Sequence, residues 1–307
     1  MSEPAKTAPA RRRGVPGRFF VIGAPYLWLI VFFLIPFAIV LKISFSTAVV
    51  GIPPYEPLIG TGDDGSWMLN FHPENYTDRL FSDLQYIVAY LSSVRNAAVT
   101  AFACLLIGYP MAYCIARAKP EWRAALLMLV VMPFWTSFLI RVYAWVGILK
   151  QNGLLNNFLI SLGVIDQPLN IMNTQTAVYI GMIYAYLPFM ILPLYSTLEK
   201  MDISLLEAAS DLGAKPIRAF VTITLPLSLP GIIAGSLLVF IPAVGEFIIP
   251  TLLGGPDTLM IGTVLWNEFF QNRDWPVASA VAVALVVLLV VPMMLLQRFQ
   301  SREAAKS

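Results

Sequence analysis

Residues 207–226 read EAASDLGAKPIRAFVTITLP, a polar stretch set between two long apolar segments. Its fixed points are Glu207, Ala208 and Ala209, then Gly213, then Ile223, Leu225 and Pro226. Just upstream, Ser204-Leu205-Leu206-Glu207 has the S-x-x-E form of a capping box. In that motif Ser204 accepts from the Glu207 N–H and Glu207 reaches back to the Ser204 N–H. Gly213 suits the left-handed residue that closes a helix, and Lys215-Pro216 blocks its continuation. The expectation is one helix over 205–212, ~12 Å long at 1.5 Å per residue. Ala208 and Ala209 leave one face small enough for close approach, and Leu205, Leu206 and Leu212 supply apolar contacts. A docking helix, a linker helix capped by Glu207 and a helix lying on a membrane surface all fit these residues.

The rest of the chain explains where such a helix would sit. Of 307 residues, 58% are hydrophobic and 12% charged, with a mean hydropathy of +0.74. Soluble domains carry about 25% charged residues, so the solvent implied here is a bilayer. A net charge of +2 argues against a nucleic-acid partner. Cys104 and Cys114 match no metal or redox spacing and read as reduced packing residues. His72, the single histidine, lies beside Pro73 in a polar loop and reads as solvated. No residue pattern calls for a metal.

A membrane-crossing helix needs about 20 mostly apolar residues. Six segments qualify: 19–41, 92–116, 124–148, 174–198, 228–252 and 276–297. With both termini inside, Lys6, Arg11, Arg12, Arg13, Arg18, Arg117, Lys119, Arg123, Lys200, Lys215, Arg218, Arg298, Arg302 and Lys306 share that side. Only Lys42, Arg79, Arg95, Arg141, Lys150 and Arg273 do not. Basic residues concentrate on the cytoplasmic side, so the pattern predicts N-in, C-in and a cytoplasmic 207–226. The expected organisation is a disordered basic cytoplasmic N-terminus (1–18), a six-span domain (19–298) with a cytoplasmic coupling loop at 199–226, and a cytoplasmic tail (299–307). The apolar run after Arg11–Arg13 is too long for a cleaved signal and reads as a signal-anchor. The outer loop 42–91 holds Glu56, Asp63, Asp64, Glu74, Asp78 and Asp83 against Lys42 and Arg79, a local net of −4. Loops 149–173 and 253–275 carry turn signals at Asn152-Gly153 and Gly254-Gly255-Pro256.

The spacing E-A-A-x3-G-x9-I-x-L-P, matched at all seven fixed positions, resembles the EAA loop of bacterial binding-protein-dependent ABC importer permeases. Its place between the fourth and fifth spans agrees. The resemblance implies an all-α type I importer permease (MetI-like) fold in the inner membrane. It also implies an ATPase-coupling role for Ser204, Glu207, Ala208, Ala209, Gly213, Ile223, Leu225 and Pro226. Further stretches are similar to the polyamine branch, especially to the first permease subunit of putrescine importers: SFLIRVYAWVGILKQNGLLNN (137–157), GVIDQPLN (163–170), IAGSLLVFIPAVGEFIIPTLLGGPDTLMIGTVLWNEFF (233–270) and NRDWPVASAVAV (272–283). YPMAY (109–113) and IPPYEPL (52–58) extend it over nearly the whole chain after residue 20. The implied substrate is putrescine, with spermidine or another small cation as the alternative. The implied partners are a second, different permease, an ATPase dimer carrying ATP and Mg, and a periplasmic binding protein.

Glu246, in PAVGEFIIP (242–250), is the informative charge within a span. A charge at membrane depth costs roughly 2.5–3.5 kcal/mol on insertion scales. It therefore faces a translocation path for cations, or makes a structural ion pair. Arg141 is expected to snorkel or to pair with Glu246. Tyr143, Trp145, Tyr184 and Phe247 are candidate cation-stacking residues, as are Tyr186 and Trp135, although aromatics in a membrane bundle mostly pack. Gly231-Ile232-Ile233-Ala234-Gly235 has the GxxxG form of a close helix contact, within the subunit or between subunits. No GxxxxGK[ST] occurs, so no nucleotide site is expected in this chain. A secondary transporter would show an internal repeat, and none is visible. A membrane enzyme would need clustered acid–base or metal residues, and only Glu246 is clearly intramembrane.

Overall fold

Apolar runs of this length fold as helices in a bilayer because no water is present to satisfy open backbone. In the computed structural model, which describes residues 17–61 and 67–304, helices dominate. They are α1 (Gly17–Ile43, π-helical over Ile30–Leu34), α2 (Leu84–Arg117), α3 (Pro120–Val131, continued by a 3-10 turn at Met132–Trp135) and α4 (Phe138–Leu149). Then come α5 (Leu154–Ser161), α6 (Gln175–Glu199), α7 (Ser204–Asp211) and α8 (Pro216–Val244, π-helical over Phe220–Thr224). The chain ends in α9 (Ile248–Leu253), α10 (Ile261–Trp266) and α11 (Trp275–Ala304). One antiparallel hairpin pairs β1 (Ile59–Thr61) with β2 (Trp67–Leu69), Ile59 opposite Leu69. The expected disordered 1–18 lies outside the described residues except Gly17 and Arg18, which open α1.

Among the described residues four helices are long and apolar enough to cross a membrane: Val21–Ile43, Leu84–Arg117, Gln175–Glu199 and Pro216–Val244. Two expected spans differ in form. Segment 124–148 is not one rod: Pro120–Trp135 and Phe138–Ser161 meet at 90°. Pro133 sits in the 3-10 turn, and Thr136 (ψ 153°) and Ser137 (ψ 138°) are extended, which turns the helical path through a right angle. Segment 228–252 begins earlier, at Pro216, and breaks at Gly245–Phe247 before α9. Residues 216–226, expected as loop, are therefore the first turns of α8. The apolar part of α11 within the described residues runs Trp275–Val291. Pro188 and Pro193 both lie inside an unbroken α6.

The core forms where α2, α6 and α8 pack together, with Cys104, Met182, Met190, Ile191, Leu194 and Val239 among its buried residues. Small residues set the spacing. A Cβ on Gly231 would lie 2.6 Å from Thr197 Oγ1, and one on Gly235 would lie 2.8 Å from Met190 Sδ. The GxxxG contact is thus made within the chain, α8 against α6. Cys104 is buried as expected, whereas Cys114 is exposed on the surface of α2. A second apolar cluster (Leu80, Tyr86, Ala89, Ile261, Val264, Val277, Val281) ties α2 to α10 and α11. Beside it the 42–91 excursion is fastened by polar contacts. Asn75 donates to the Ser44 and Ser46 carbonyls (2.9 and 2.8 Å), and Arg79 pairs with Asp274 at 2.9 Å. Burial pushes the Tyr76 phenol above its usual pKa, although its hydroxyl donates to Ser44 Oγ at 2.7 Å.

α1 contrasts with this bundle. None of its Val21–Ile43 window apart from the last turn is enclosed, and its C-terminal part, Ile35–Ile43, packs on α11. A helix apolar on every side suits a lipid environment.

Candidate functional site

The 204–226 segment is built as a helical finger. α7 starts one residue earlier than expected, and its cap is a different side chain. Asp202 Oδ1 accepts the Ser204 N–H at 3.0 Å, and Ile203 is the N-cap residue. That backbone N–H holds the Asp202 carboxyl below the usual aspartate pKa. The expected Ser204–Glu207 box is not formed, because an aspartate two residues upstream takes the orphan amide first. The C-terminus matches expectation. Gly213 has φ +78°, its N–H donates to Ser210 O (2.8 Å), and the Ala214 N–H donates to Ala209 O (2.9 Å). This pair of bonds is the Schellman closure of a helix. Alanine at 213 would hold a non-glycine residue in left-handed space at roughly 1 kcal/mol. Gly213→Ala is therefore expected to lower the thermal midpoint of the purified protein slightly and to weaken coupled transport more than Gly213→Asn does.

Ala209 is buried, and α7 packs on the start of α8, where Ala219 is also buried. Glu207 and Ala208 face outward, with Leu205, Leu212 and Ile217 exposed beside them. Leu212 is 89% and Ile217 80% exposed, so the finger presents an apolar tip beside the exposed carboxylates of Glu207 and Asp211. Ile223, Leu225 and Pro226 stand apart from that tip, in the first turns of α8, where Ile223 and Leu225 are half-buried. The motif thus divides into a presented part (207–213) and a rooting part (223–226).

Glu246 lies at the break between α8 and α9 and is 8% exposed. Its Oε1 accepts the N–H groups of Ile248 (2.9 Å) and Ile249 (3.3 Å), and its Oε2 accepts the Tyr186 hydroxyl. Glu246 caps the short helix α9 and fastens it to α6. Among the described residues it makes no ion pair with Arg141. The Arg141 guanidinium instead sits 5.2 Å from the Phe134 ring and 5.6 Å from that of Phe138, across the 90° bend. Its Nε and Nη1 are enclosed without acceptors among the described residues, so it does not snorkel by those atoms.

The expected aromatic candidates fall into three places. Tyr186 joins Glu246, and Phe189 follows at 6.3 Å and Phe134 beyond it at 5.2 Å. Trp145 meets Tyr184 edge-on at 5.4 Å, and Tyr143 is exposed on the same helix as Trp145. Phe247 stacks on Trp266 at 4.7 Å, which joins the α8–α9 break to α10. Trp135 is exposed at the bend. Glu246, Tyr186 and Phe247 are therefore neighbours, and Trp145 and Tyr184 form a separate aromatic pair, with Tyr143 two residues from Trp145 and so on a different side of α4. The helices α5 and α10, both inside expected loops, were missed. Gly153 before LLNNFLIS and the apolar IGTVLW were the available signals.

Comparison with known proteins agrees with this architecture. The profile of the family described as "Binding-protein-dependent transport system inner membrane component" matches residues 87–306. The spermidine/putrescine transport system permease protein PotB of Haemophilus influenzae is 45% identical over 86% of this chain and 87% of its own length. PotB of Escherichia coli K12 is 43% identical over 85% and 90%. The fold is shared with a crystal structure of a bacterial ABC transporter involved in alginate import (TM-score 0.64, 19% identity, 93% of this chain and 96% of that one). The MetNI methionine ABC transporter aligns with a TM-score of 0.52, at 18% identity over 69% of this chain and 93% of that one. With a MetI-like helical fold and a family match over most of its length, this chain belongs to the binding-protein-dependent transport system inner membrane components, and it is a transport subunit of the inner membrane, not an enzyme.

Proposed function

We propose that this chain is one half of the membrane pore of an ATP-driven importer of polyamines, carrying putrescine and spermidine into the cytoplasm. The observation that carries this reading is the similarity, over most of the chain, to two permeases named for spermidine/putrescine transport. Putrescine, with spermidine or another small cation as the alternative, was the expectation from sequence; those names cover both amines and do not single out putrescine. The chain crosses the membrane six times with both termini inside, the bent α3–α4 pair and α11 completing the four long spans. A second permease forms the other half, an ATPase pair docks on α7, and a periplasmic binding protein delivers the amine.

The exposed Glu207, Ala208, Leu205 and Leu212 enter a cleft of the ATPase, and the Schellman closure keeps that tip rigid. The 223–226 turns root the finger in α8, so force on α7 passes to the helix whose far end carries Glu246. Glu246 supplies negative potential beside the path, and Phe247, Tyr184, Trp145 and Tyr143 offer aromatic faces to the amine.

The test is uptake of labelled putrescine and spermidine in cells lacking polyamine importers, with this chain co-expressed with its genomic neighbours. Wild-type uptake of either amine is expected. Glu207→Ala is expected to reduce it about tenfold or more, which corresponds to roughly 1.4 kcal/mol of coupling, with membrane insertion unchanged. Absence of uptake by the wild-type set would overturn the substrate reading. Full uptake by the Glu207→Ala variant would overturn the coupling role.

A further inference from the structure

None of the α3 residues Pro120–Val131 is buried. Between α3 and the end of α2 runs a groove of about 370 Å³, lined by Met111, Cys114, Ile115, Leu126, Leu129 and Val130. The lining is apolar throughout, since a free cysteine behaves as a small hydrophobe. Met111, Cys114 and Leu129 are exposed, so the groove is open among the described residues.

The groove ends one turn above the connection between α2 and α3. Cys114 precedes Arg117 by three residues, and Leu126 follows Arg123 by three, ~4.5 Å at 1.5 Å per residue. Residues three apart share a helix face. Arg117 is the last residue of α2, and Lys119 is the N-cap of α3. Among the described residues neither makes an ion pair, and Lys119 is exposed. The Arg117 guanidinium lies 5.5 Å from the Tyr113 ring. Arg123 fixes the connection: its Nε donates to Ala118 O at 2.9 Å, and its Nη1 pairs with Glu199 at 3.5 Å. Glu121 is the one carboxylate within 117–123, so the connection stays net positive even with Arg123 neutralised.

Trp122 stands at the same level and is 62% exposed. An indole prefers the headgroup layer of a bilayer. An open apolar groove that ends at an exposed indole and two unpaired cations matches an amphiphile with a negative head.

We propose that this groove holds one anionic phospholipid of the inner leaflet, with an acyl chain between α2 and α3 and the phosphate facing Arg117 and Lys119. The leaflet rests on the orientation proposed above, which puts the 117–120 connection in the cytoplasm. Basic pockets between membrane helices on that side suit anionic headgroups, and each Lys or Arg near them is worth about fivefold in binding. Charge separates the lipid from a protein occupant. An apolar helix of a partner chain would fill the groove and leave both cations without a counter-charge.

The test uses the full complex in phosphatidylcholine nanodiscs doped with a photoactivatable phosphatidylglycerol, or with the matching phosphatidylcholine analogue, each carrying a diazirine on one acyl chain. Cross-linked peptides are identified by mass spectrometry. Residues 111–115 and 126–130 are expected to take the phosphatidylglycerol probe several-fold more than the phosphatidylcholine probe, and excess unlabelled phosphatidylglycerol is expected to compete it away. Lys119→Gln is expected to lower that preference about fivefold. Arg117→Lys keeps the charge and is expected to keep the preference. Equal labelling by the two probes, or a preference that survives Arg117→Gln combined with Lys119→Gln, overturns the site. A groove that takes neither probe while other apolar faces are labelled is filled by protein, which overturns it as well. Orientation is read separately in spheroplasts, with Glu121→Cys in a Cys114→Ser background. This thiol is expected to react with a membrane-impermeant maleimide only after the membrane is opened. Reaction in intact spheroplasts overturns the proposed topology and the leaflet together, whatever the lipid probes show.

Discussion

Glu246→Ala is expected to abolish transport by loosening the protein, not only by removing a charge. The substitution leaves the Ile248 and Ile249 N–H groups and the Tyr186 hydroxyl without their acceptor. Tyr186 is 7% exposed, so water does not readily replace the lost bond. Each buried group left unsatisfied costs about 1–3 kcal/mol, and three of them exceed what one turn of α9 contributes. The thermal midpoint of the purified complex should fall by several degrees, and uptake should drop by more than about tenfold. Glu246→Gln separates cap from charge, because its amide oxygen still accepts from α9 and its nitrogen faces Tyr186. A Glu246→Ala complex that melts with the wild type would remove the capping role. A Glu246→Gln complex that imports at the wild-type rate would remove the electrostatic one.

Gly262→Ala carries the second large expectation. The new Cβ would lie 2.4 Å from Gly245 O and 2.7 Å from Glu246 O. Both obstacles are main chain, which cannot swing aside as the end of a side chain does. Overpacking costs typically about 1–3 kcal/mol, and here the strain falls on the turn that aims Glu246 and on the Phe247–Trp266 stack. The expected outcome is a complex that inserts but melts earlier and imports poorly. A Gly262→Ala complex with wild-type melting and uptake would mean that α10 is free to shift.

The sequence told where helices lie better than where they break. Long apolar runs must be helical in lipid, so α1, α2, α6 and the body of α8 were legible from hydropathy alone. In such runs every face is apolar, and the 3.6-residue period that marks a helix end in water disappears. The breaks at Thr136–Ser137 and at Gly245–Phe247 therefore left only weak traces. One trace was present: Glu246 stands two residues ahead of Ile248, with Pro250 in the first turn that follows, an acid-then-proline helix start. Reading the segment as one continuous span hid it. At the coupling finger the start was read from Ser204, whereas Asp202, two residues upstream, takes the first amide. The end signal at Gly213 had no competitor, and it was read correctly. The seven-position motif was legible as a pattern, but its division into an outward tip and a half-buried root needed the packing of α7 on α8.

The contact between Arg79 and Asp274 joins residues 195 positions apart in the chain. It bears on biogenesis. A ribosome adding roughly 5–20 residues per second delivers Asp274 on the order of ten to forty seconds after Arg79. Throughout that interval the segment around residues 75–83 has emerged without its anchor. Asn75 can already fasten to Ser44 and Ser46, which precede it. The final clasp waits for the last helix to be threaded, so nascent chains truncated before residue 274 should offer this segment to proteases that spare the finished subunit.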